Sequence, residues 1–102
     1  MEKIYFTIAG TNHHHGSEFM EPEMTVILKK EPDNEYDTEA IRVEMEGLGL
    51  VGYVANSTHT RIGESRSAGR IYDTIGDTAR GIIRYVLNNG VLCELKQEEE
   101  DQ

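Results

Sequence analysis

Apolar and polar side chains alternate along three stretches in the first half of the chain. Alternation with a period of two is typical of strands that bury one face. It predicts strands over residues 3–9, 24–30 and 41–46, and a short apolar run over residues 50–55 predicts a fourth. The inward-facing side chains of the three alternating strands should be Ile4, Phe6, Ile8, Met24, Val26, Leu28, Ile41, Val43 and Met45.

Residues 56–78 carry a weaker, helical signal. Asn56 and Ser57 are typical N-cap residues, and the apolar residues between positions 68 and 75 have helical spacing. Because glycines at positions 63, 69 and 76 interrupt this segment, we expect one or two short helical turns and no long helix.

Residues 81–95 fit two different structures. The apolar residues up to Leu87 fit an amphipathic helix that ends at Gly90, whereas Asn89-Gly90 between β-branched and aromatic residues is typical of a β-hairpin. The alternation of Val91, Cys93 and Leu95 with polar residues favours the hairpin. We therefore predict a mainly β domain of about six strands with one or two short helices, folded as a small barrel or a strongly bent sheet.

Length and charge restrict the classes of protein to consider. A chain of 102 residues is long enough for one modest core, and we assign residues 1–97 to a single domain and residues 98–102 to an acidic tail. The net charge of −9 falls to about −5 without the four carboxylates of that tail, and it argues against loose binding to a nucleic-acid backbone. The sequence has one cysteine and neither a membrane-spanning run nor a signal-peptide pattern, so we expect a cytoplasmic protein.

A cluster of polar residues lies immediately ahead of the third predicted strand. The sequence KEPDNEYDTEAIRV, from Lys30 to Val43, resembles the central signature of the HIRAN domain, in which a basic residue, an acidic residue and proline precede Asn-x-Tyr-Asp-x-x-Ala-Ile-x-Val. The strand Val51-Gly52-Tyr53-Val54 resembles the family's x-Gly-Tyr/His-Val/Leu, and the segment from Gly10 to Gly16 resembles its Gly-x-x-x-x-x-Gly loop. The resemblance extends over residues 3–95.

The resemblance implies a small OB-like or SH3-like barrel that binds nucleic acid. In a fork-remodelling member of the family, the domain binds the free 3′ end of single-stranded DNA. Transferred to the matching positions, it implies single-stranded nucleic-acid ends as partners, DNA favoured; we expect no cofactor. The binding pocket would be formed by Asn12, His13, Asn34, Tyr36, Asp37, Tyr53 and Asn56.

The chemistry of these residue types fits such a site. Tyr36 offers an aromatic face on which a base can stack. Asp37 can accept a hydrogen bond from a terminal hydroxyl group, whereas it would repel an internal phosphate. The alternative is a capped turn, in which Asn34 and Asp37 bond to their own loop and Tyr36 packs beneath them.

The sequence also departs from the family pattern. Asn12 and Asn56 stand where the family carries an arginine and a lysine that reach phosphate, and His13 and His14 stand where it carries tyrosines. Arginines at positions 61, 66 and 70 are candidate replacements, or they only balance the acidic residues. This leaves a second hypothesis, an adaptor domain whose pocket binds a protein or a small molecule.

Two further chemical readings have little support. Consecutive histidines at positions 13–15 invite a metal site, and with it a metal-assisted phosphoesterase, but adjacent residues of an extended loop point in different directions. No nucleophile with a base and no glycine-rich phosphate loop is recognisable, so we expect no enzyme. Cys93 is expected to be a small buried apolar residue.

Overall fold

The computed structural model describes residues 2–97, which fold into one closed antiparallel barrel. Within this range the chain forms six strands and two short helical segments. They are β1 (Tyr5–Ala9), a 3-10 turn (Thr11–His13), β2 (Thr25–Lys30), β3 (Ile41–Met45), β4 (Gly49–Val54), α1 (Ala68–Tyr72), β5 (Thr78–Leu87) and β6 (Gly90–Leu95). The prediction of a mainly β barrel of about six strands is confirmed.

The strand order around the barrel is β1-β4-β3-β2-β5-β6, and β6 closes it by pairing with β1. The four strands predicted in the first half of the chain are present, each within two residues of its expected bounds. A tight turn joins β3 to β4, and Gly47 and Gly49 adopt the left-handed φ values of 88° and 77° that glycine accepts most readily.

The barrel interior is filled by the side chains that the alternation predicted. Phe6, Ile8, Val26 and Leu28 are fully buried together with Ile41 and Val43, and the predicted inward residues Met24 and Met45 pack against this core from its margin. Cys93 is buried in the same core. Its desolvation raises the pKa of the thiol to about 12, so it behaves as the small apolar residue that was expected.

Strand β1 approaches its surroundings closely at two places. A Cβ atom at Gly52 would lie only 2.7 Å from the carbonyl oxygen of Ala9, so this position of β4 admits no larger residue without a shift of the backbone. On the opposite side, the buried Thr7 hydroxyl bonds to the Ser65 hydroxyl at 2.8 Å and accepts the backbone N–H of Ile62 at 3.0 Å. These bonds attach the segment between β4 and α1 to the barrel.

The hairpin of β5 and β6 is present, but its turn differs from the prediction. Leu87 pairs with Gly90, so Asn88 and Asn89 occupy the turn. Among the non-glycine residues of the described range only Glu23 has a positive φ, so neither asparagine adopts the left-handed conformation that an Asn-Gly hairpin turn requires. The strand pairing was predicted correctly, and the turn residues were displaced by one position.

The segment before β5 contains one helix, and its cap is not the predicted one. Ser67 caps α1 by accepting the N–H of Arg70, whereas Ser57 stabilises a turn by accepting the N–H of His59. The prediction of a cap at Asn56 and Ser57 was therefore wrong, because these residues follow β4 directly and the chain turns before it becomes helical. The predicted acidic tail over residues 98–102 lies outside the described residues.

No helix within residues 2–97 is long and apolar enough to cross a lipid bilayer.

Candidate functional site

The loop that joins β2 to β3 carries the polar cluster of the sequence signature. Its base is closed by the backbone bond from Glu31 N–H to the Ala40 carbonyl at 2.9 Å. Two tighter turns shape its interior, from Asn34 N–H to the Glu31 carbonyl and from Ala40 N–H to the Asp37 carbonyl. These backbone bonds hold the connection between the paired strands β2 and β3 as a compact, closed loop.

Asn34 organises this loop from within. Its side-chain oxygen accepts the backbone N–H groups of Tyr36 and Asp37 at 2.9 and 3.0 Å, and its amide group donates to Glu31 Oε1 at 2.9 Å. Asn34 therefore bonds within its own loop, as the capped-turn alternative predicts. Its side chain positions the two residues that follow.

Tyr36 projects away from the loop that Asn34 shapes. Its side chain is 90% exposed, the most exposed of the large hydrophobic residues in the described range. The ring is therefore not packed beneath the turn. Both of its faces are accessible to a planar ligand.

Asp37 is half-buried beside Tyr36, and both of its carboxylate oxygens have a partner. Oδ1 accepts the backbone N–H of Glu39 at 2.9 Å, and Oδ2 accepts the Asn56 amide at 3.0 Å. The Asn56 side-chain oxygen in turn accepts the N–H of Gly69 at 3.1 Å. Asn56 thus connects the signature loop to the first turn of α1.

Glu31 is the centre of a second group of hydrogen bonds below the loop. Tyr53 OH lies 3.0 Å from each of its carboxylate oxygens, and Arg42 Nη1 lies 3.1 Å from Oε2. Partial burial alone would raise the pKa of Glu31, but the hydrogen bonds from Asn34, Tyr53 and Arg42 outweigh it, so the pKa lies below its usual value.

Tyr53 shows the reciprocal effect. Its partial burial, its hydrogen bond to Glu31 and the negative charge of that carboxylate all raise the pKa of the phenol. The hydroxyl therefore remains a donor to Glu31 at neutral pH. Tyr53 is fixed at its polar end, and its ring is left to form a wall of the site.

These elements surround a surface cavity of about 430 Å³ that we call the loop pocket. It is lined by Asn34, Tyr36, Asp37, Ala40, Tyr53 and Val54. Four of the seven residues predicted from the resemblance line it, and a fifth, Asn56, reaches it through Asp37.

The other two predicted residues lie elsewhere. Asn12 and His13 belong to the 3-10 turn after β1 and line a separate cavity of about 330 Å³, together with Thr60 and the turn between β5 and β6. The structure does not bring them into the loop pocket.

The candidate cations are mostly engaged within the fold. Arg61 donates to the Ser65 carbonyl at 2.7 Å, and Arg66 lies 3.4 Å from Glu2. Arg70 is exposed and has no carboxylate partner within residues 2–97. Of the three, Arg70 is the one whose guanidinium has no partner within that range.

The histidine loop does not form a cluster of ligands. His15 Nε2 lies 3.2 Å from the Leu48 carbonyl, and His13 and His14 are exposed. Between residues 2 and 97, no three His, Cys, Asp or Glu side chains come together in a way that could hold a metal ion.

Comparison with known proteins gives the family. A family model of the HIRAN domain matches residues 1–98. The chain belongs to the HIRAN family. Membership supports a nucleic-acid-binding domain.

Two solved structures resemble this HIRAN domain. The HIRAN domain of human HLTF has a TM-score of 0.60 and 18% identity, covering 91% of this chain and 74% of that one. A protein from Lactobacillus plantarum has a TM-score of 0.57 and 20% identity, covering 94% of this chain and 98% of that one. At such identities the likeness shows a shared fold. No curated protein matches the sequence.

Some residues that form or support the loop pocket of this HIRAN domain were not predicted from the sequence. Glu31 belongs to the matched signature, yet its role as the shared acceptor for Tyr53, Arg42 and Asn34 appears only in three dimensions. Val54 was predicted as part of the fourth strand and Ala40 belongs to the matched signature, but neither was assigned to the pocket; both are buried and also line it. The signal that could have identified Glu31 is the acidic position that precedes proline in the signature.

Proposed function

We propose that this HIRAN domain binds the free 3′ end of a single-stranded nucleic acid, with DNA favoured, in the loop pocket. The observation that carries the proposal is the Tyr36 ring, 90% exposed at the edge of a cavity whose floor includes a carboxylate. An exposed aromatic ring beside a carboxylate is well suited to a ligand with one flat apolar part and one hydroxyl donor.

The terminal base stacks on Tyr36. Every base has an aromatic face, and each base that stacks on an aromatic side chain contributes about 1–3 kcal/mol. Because Asn34 accepts the backbone N–H groups of Tyr36 and Asp37, little backbone freedom remains to be lost at the ring when a base binds.

The terminal hydroxyl donates to Asp37. A carboxylate has about four lone-pair sites on its two oxygens, and the Glu39 and Asn56 groups use two of them. An oxygen of Asp37 therefore retains capacity for one more donor. A phosphate group in the same place would bring a second negative charge against it, which disfavours an internal nucleotide.

The test is a fluorescence anisotropy titration with short thymidine oligonucleotides. Tyr36→Ala should weaken binding by about 5- to 150-fold, the range that corresponds to 1–3 kcal/mol of lost stacking. The matched control is Tyr85→Ala, because Tyr85 is a tyrosine that is 61% exposed on β5 and does not line the loop pocket. Equal effects of the two substitutions, or no binding by the wild-type protein, would reject the proposal.

Selection of an end is tested separately with oligonucleotides that carry a 3′ hydroxyl or a 3′ phosphate. Wild type should prefer the hydroxyl, and Asp37→Asn should reduce that preference by removing the negative charge at nearly constant shape. If wild type binds both oligonucleotides equally, it does not select a free end, even if it binds single strands.

A second candidate, a protein- or small-molecule-binding adaptor, is favoured by the way in which the cations are used. Arg42, Arg66 and Arg84 each pair with glutamate, so these three charges are neutralised within the fold and are not free for a phosphate backbone. Salt separates the two candidates. Nucleic-acid affinity falls as salt rises because counterions are released on binding, whereas the affinity of an uncharged ligand stays nearly constant.

A further inference from the structure

A larger cavity, of about 640 Å³, lies on the outer face of the barrel beyond the end of α1. It is formed by the segment that follows the helix, by β2 and by the ends of β5 and β6. Two of its lining residues, Arg80 and Lys96, are cations and none is a carboxylate. In a chain whose net charge is −9, this composition is unusual. We call it the cationic cavity.

The two cations are held next to each other by the strand register. Gly81 pairs with Leu95, and the Lys96 N–H donates to the Arg80 carbonyl at 2.9 Å, so Arg80 and Lys96 are opposite each other. Side chains at opposite positions of an antiparallel pair share one face with Cβ atoms about 5 Å apart, and like charges there destabilise the sheet. An anion between the two groups would relieve this repulsion.

Most other cations on the barrel strands have acidic partners, and the exception, Lys30 on β2, lies with its Nζ 4.3 Å from the centre of the Tyr72 ring. Lys29 pairs with Glu44, Arg42 with Glu31 and Glu44, and Arg84 with Glu23 and Glu94. Neither Arg80 nor Lys96 has a carboxylate within 4.0 Å among residues 2–97. Acidic residues of the fold therefore neutralise Lys29, Arg42 and Arg84. The charges of Arg80 and Lys96 can instead be neutralised by an anion from solution.

Within residues 2–97, no other polar side chain at the cavity forms a hydrogen bond with the side chain of Arg80 or Lys96. The Thr74 hydroxyl donates to the Arg70 carbonyl, and the Gln97 amide donates to the Glu2 carbonyl. Asp73 and Asp77 precede lining residues in the sequence but do not line the cavity themselves.

From this arrangement we infer that the cationic cavity is a phosphate-binding site, distinct from the loop pocket. Its ligand is a phosphate group, which is either free in solution or part of a nucleic-acid backbone. Guanidinium and ammonium groups are the two side chains that bind phosphate most commonly, one through paired hydrogen bonds and the other as a point charge. The inference does not depend on recognition of a 3′ end.

The experiment is an NMR titration of the ¹⁵N-labelled full-length protein with inorganic phosphate, with chloride at matched ionic strength as the reference. Saturable shifts should be confined to amides of residues 74–80 and 95–97. The variant R80Q/K96Q should lose at least about tenfold in affinity, whereas K3Q/K29Q removes the same charge from residues that do not line this cavity and should bind like wild type. Equal affinities of R80Q/K96Q and K3Q/K29Q overturn the inference, and so does the absence of saturable shifts both in wild type and in the tail variant E98Q/E99Q/E100Q/D101N.

A second arm identifies the source of the phosphate. A thymidine oligonucleotide is titrated at several salt concentrations. If its backbone occupies the cavity, R80Q/K96Q should reduce the slope of log affinity against log salt by about 1.4, the value for two lost contacts with a single strand. An unchanged slope together with saturable binding of inorganic phosphate assigns the site to free phosphate.

The acidic residues at positions 98–101 directly follow Gln97, a lining residue, in the sequence, and their charge is opposite to that of Arg80 and Lys96. Both titrations are therefore repeated on the full-length variant E98Q/E99Q/E100Q/D101N. Absence of saturable phosphate binding in this variant as well as in wild type overturns the inference. Because Tyr36→Ala leaves the cationic cavity intact, failure of this site is distinguishable from failure of the loop pocket.

Discussion

The substitution Glu31→Gln should destabilise the domain by about 2 kcal/mol at pH 7. It keeps the shape of the side chain but removes the charge that accepts hydrogen bonds from Arg42, Tyr53 and Asn34. A hydrogen bond to a charged group contributes about 1.5–3 kcal/mol and a neutral one about 1 kcal/mol, so three weakened bonds would cost roughly 1.5–6 kcal/mol. Since the Glu31 side chain is 22% exposed, solvent screening favours the lower part of that range.

The measurement is urea unfolding followed by circular dichroism, with Glu35→Gln as the control. Glu35 lies in the same loop, is exposed and has no side-chain partner within residues 2–97, so its substitution should change stability by less than about 0.5 kcal/mol. A double-mutant cycle of Glu31→Gln with Tyr53→Phe should give a coupling energy of about 1 kcal/mol, because the two residues share hydrogen bonds.

The effect must also depend on pH in a defined direction. The pKa of Glu31 is lower in the folded than in the unfolded protein, so its carboxylate contributes stability above its ordinary value of 4.5 and loses that contribution as the pH falls below it. The difference between wild type and Glu31→Gln should therefore shrink from pH 6 to pH 3. A difference that is absent at pH 7, or that stays constant down to pH 3, would refute the role assigned to Glu31.

Three other substitutions or treatments test the fold. Gly52→Ala should destabilise the protein by about 1–3 kcal/mol in thermal unfolding because the added methyl group meets the backbone of β1. Gly76→Ala is the control and should have little effect, because the space around Gly76 is open. Equal stability of the two variants would contradict the close approach of β4 to β1. Thr7→Val should cost about 1–3 kcal/mol in urea because it leaves buried polar groups without a partner, and Thr25→Val on the exposed face of β2 is its control; a neutral Thr7→Val would mean that water replaces the hydroxyl. Cys93 should react with a thiol reagent at pH 8 only as fast as the protein unfolds, and rapid labelling of the native protein would show that it is not buried.

The strands were predictable because one rule governs them. Ile4, Phe6 and Ile8 alternate with polar residues. Because successive side chains of a strand point to opposite faces, this alternation itself predicts a strand whose apolar face is buried. The turn at Asn88 and Asn89 was not predictable in the same way. Asn89-Gly90 has a strong local preference, but the pairing of Leu87 with Gly90 places the turn one residue earlier.

The candidate site shows the same division. Tyr36, Asp37 and Tyr53 come together because the signature loop and β4 both border β3, which the resemblance implied. The placement of Asn12 and His13 in another cavity depends on how the chain leaves β1 through a 3-10 turn, and no local pattern encodes that direction. The role of Glu31 was not predictable from local sequence, because it accepts hydrogen bonds from three side chains that are up to 22 residues away in the sequence.

Closure of the barrel has a consequence for how any macromolecule can be recognised. Where β1 stops pairing with β4, the Ala55 and Arg66 backbone N–H groups donate to the carbonyls of Thr7 and Tyr5, so even this margin is occupied. A peptide therefore has no vacant main-chain ladder within residues 2–97 to which it could be added as another strand. The domain therefore has to recognise a partner through its side chains and loops, so its binding specificity depends on a small number of residues that substitution can change.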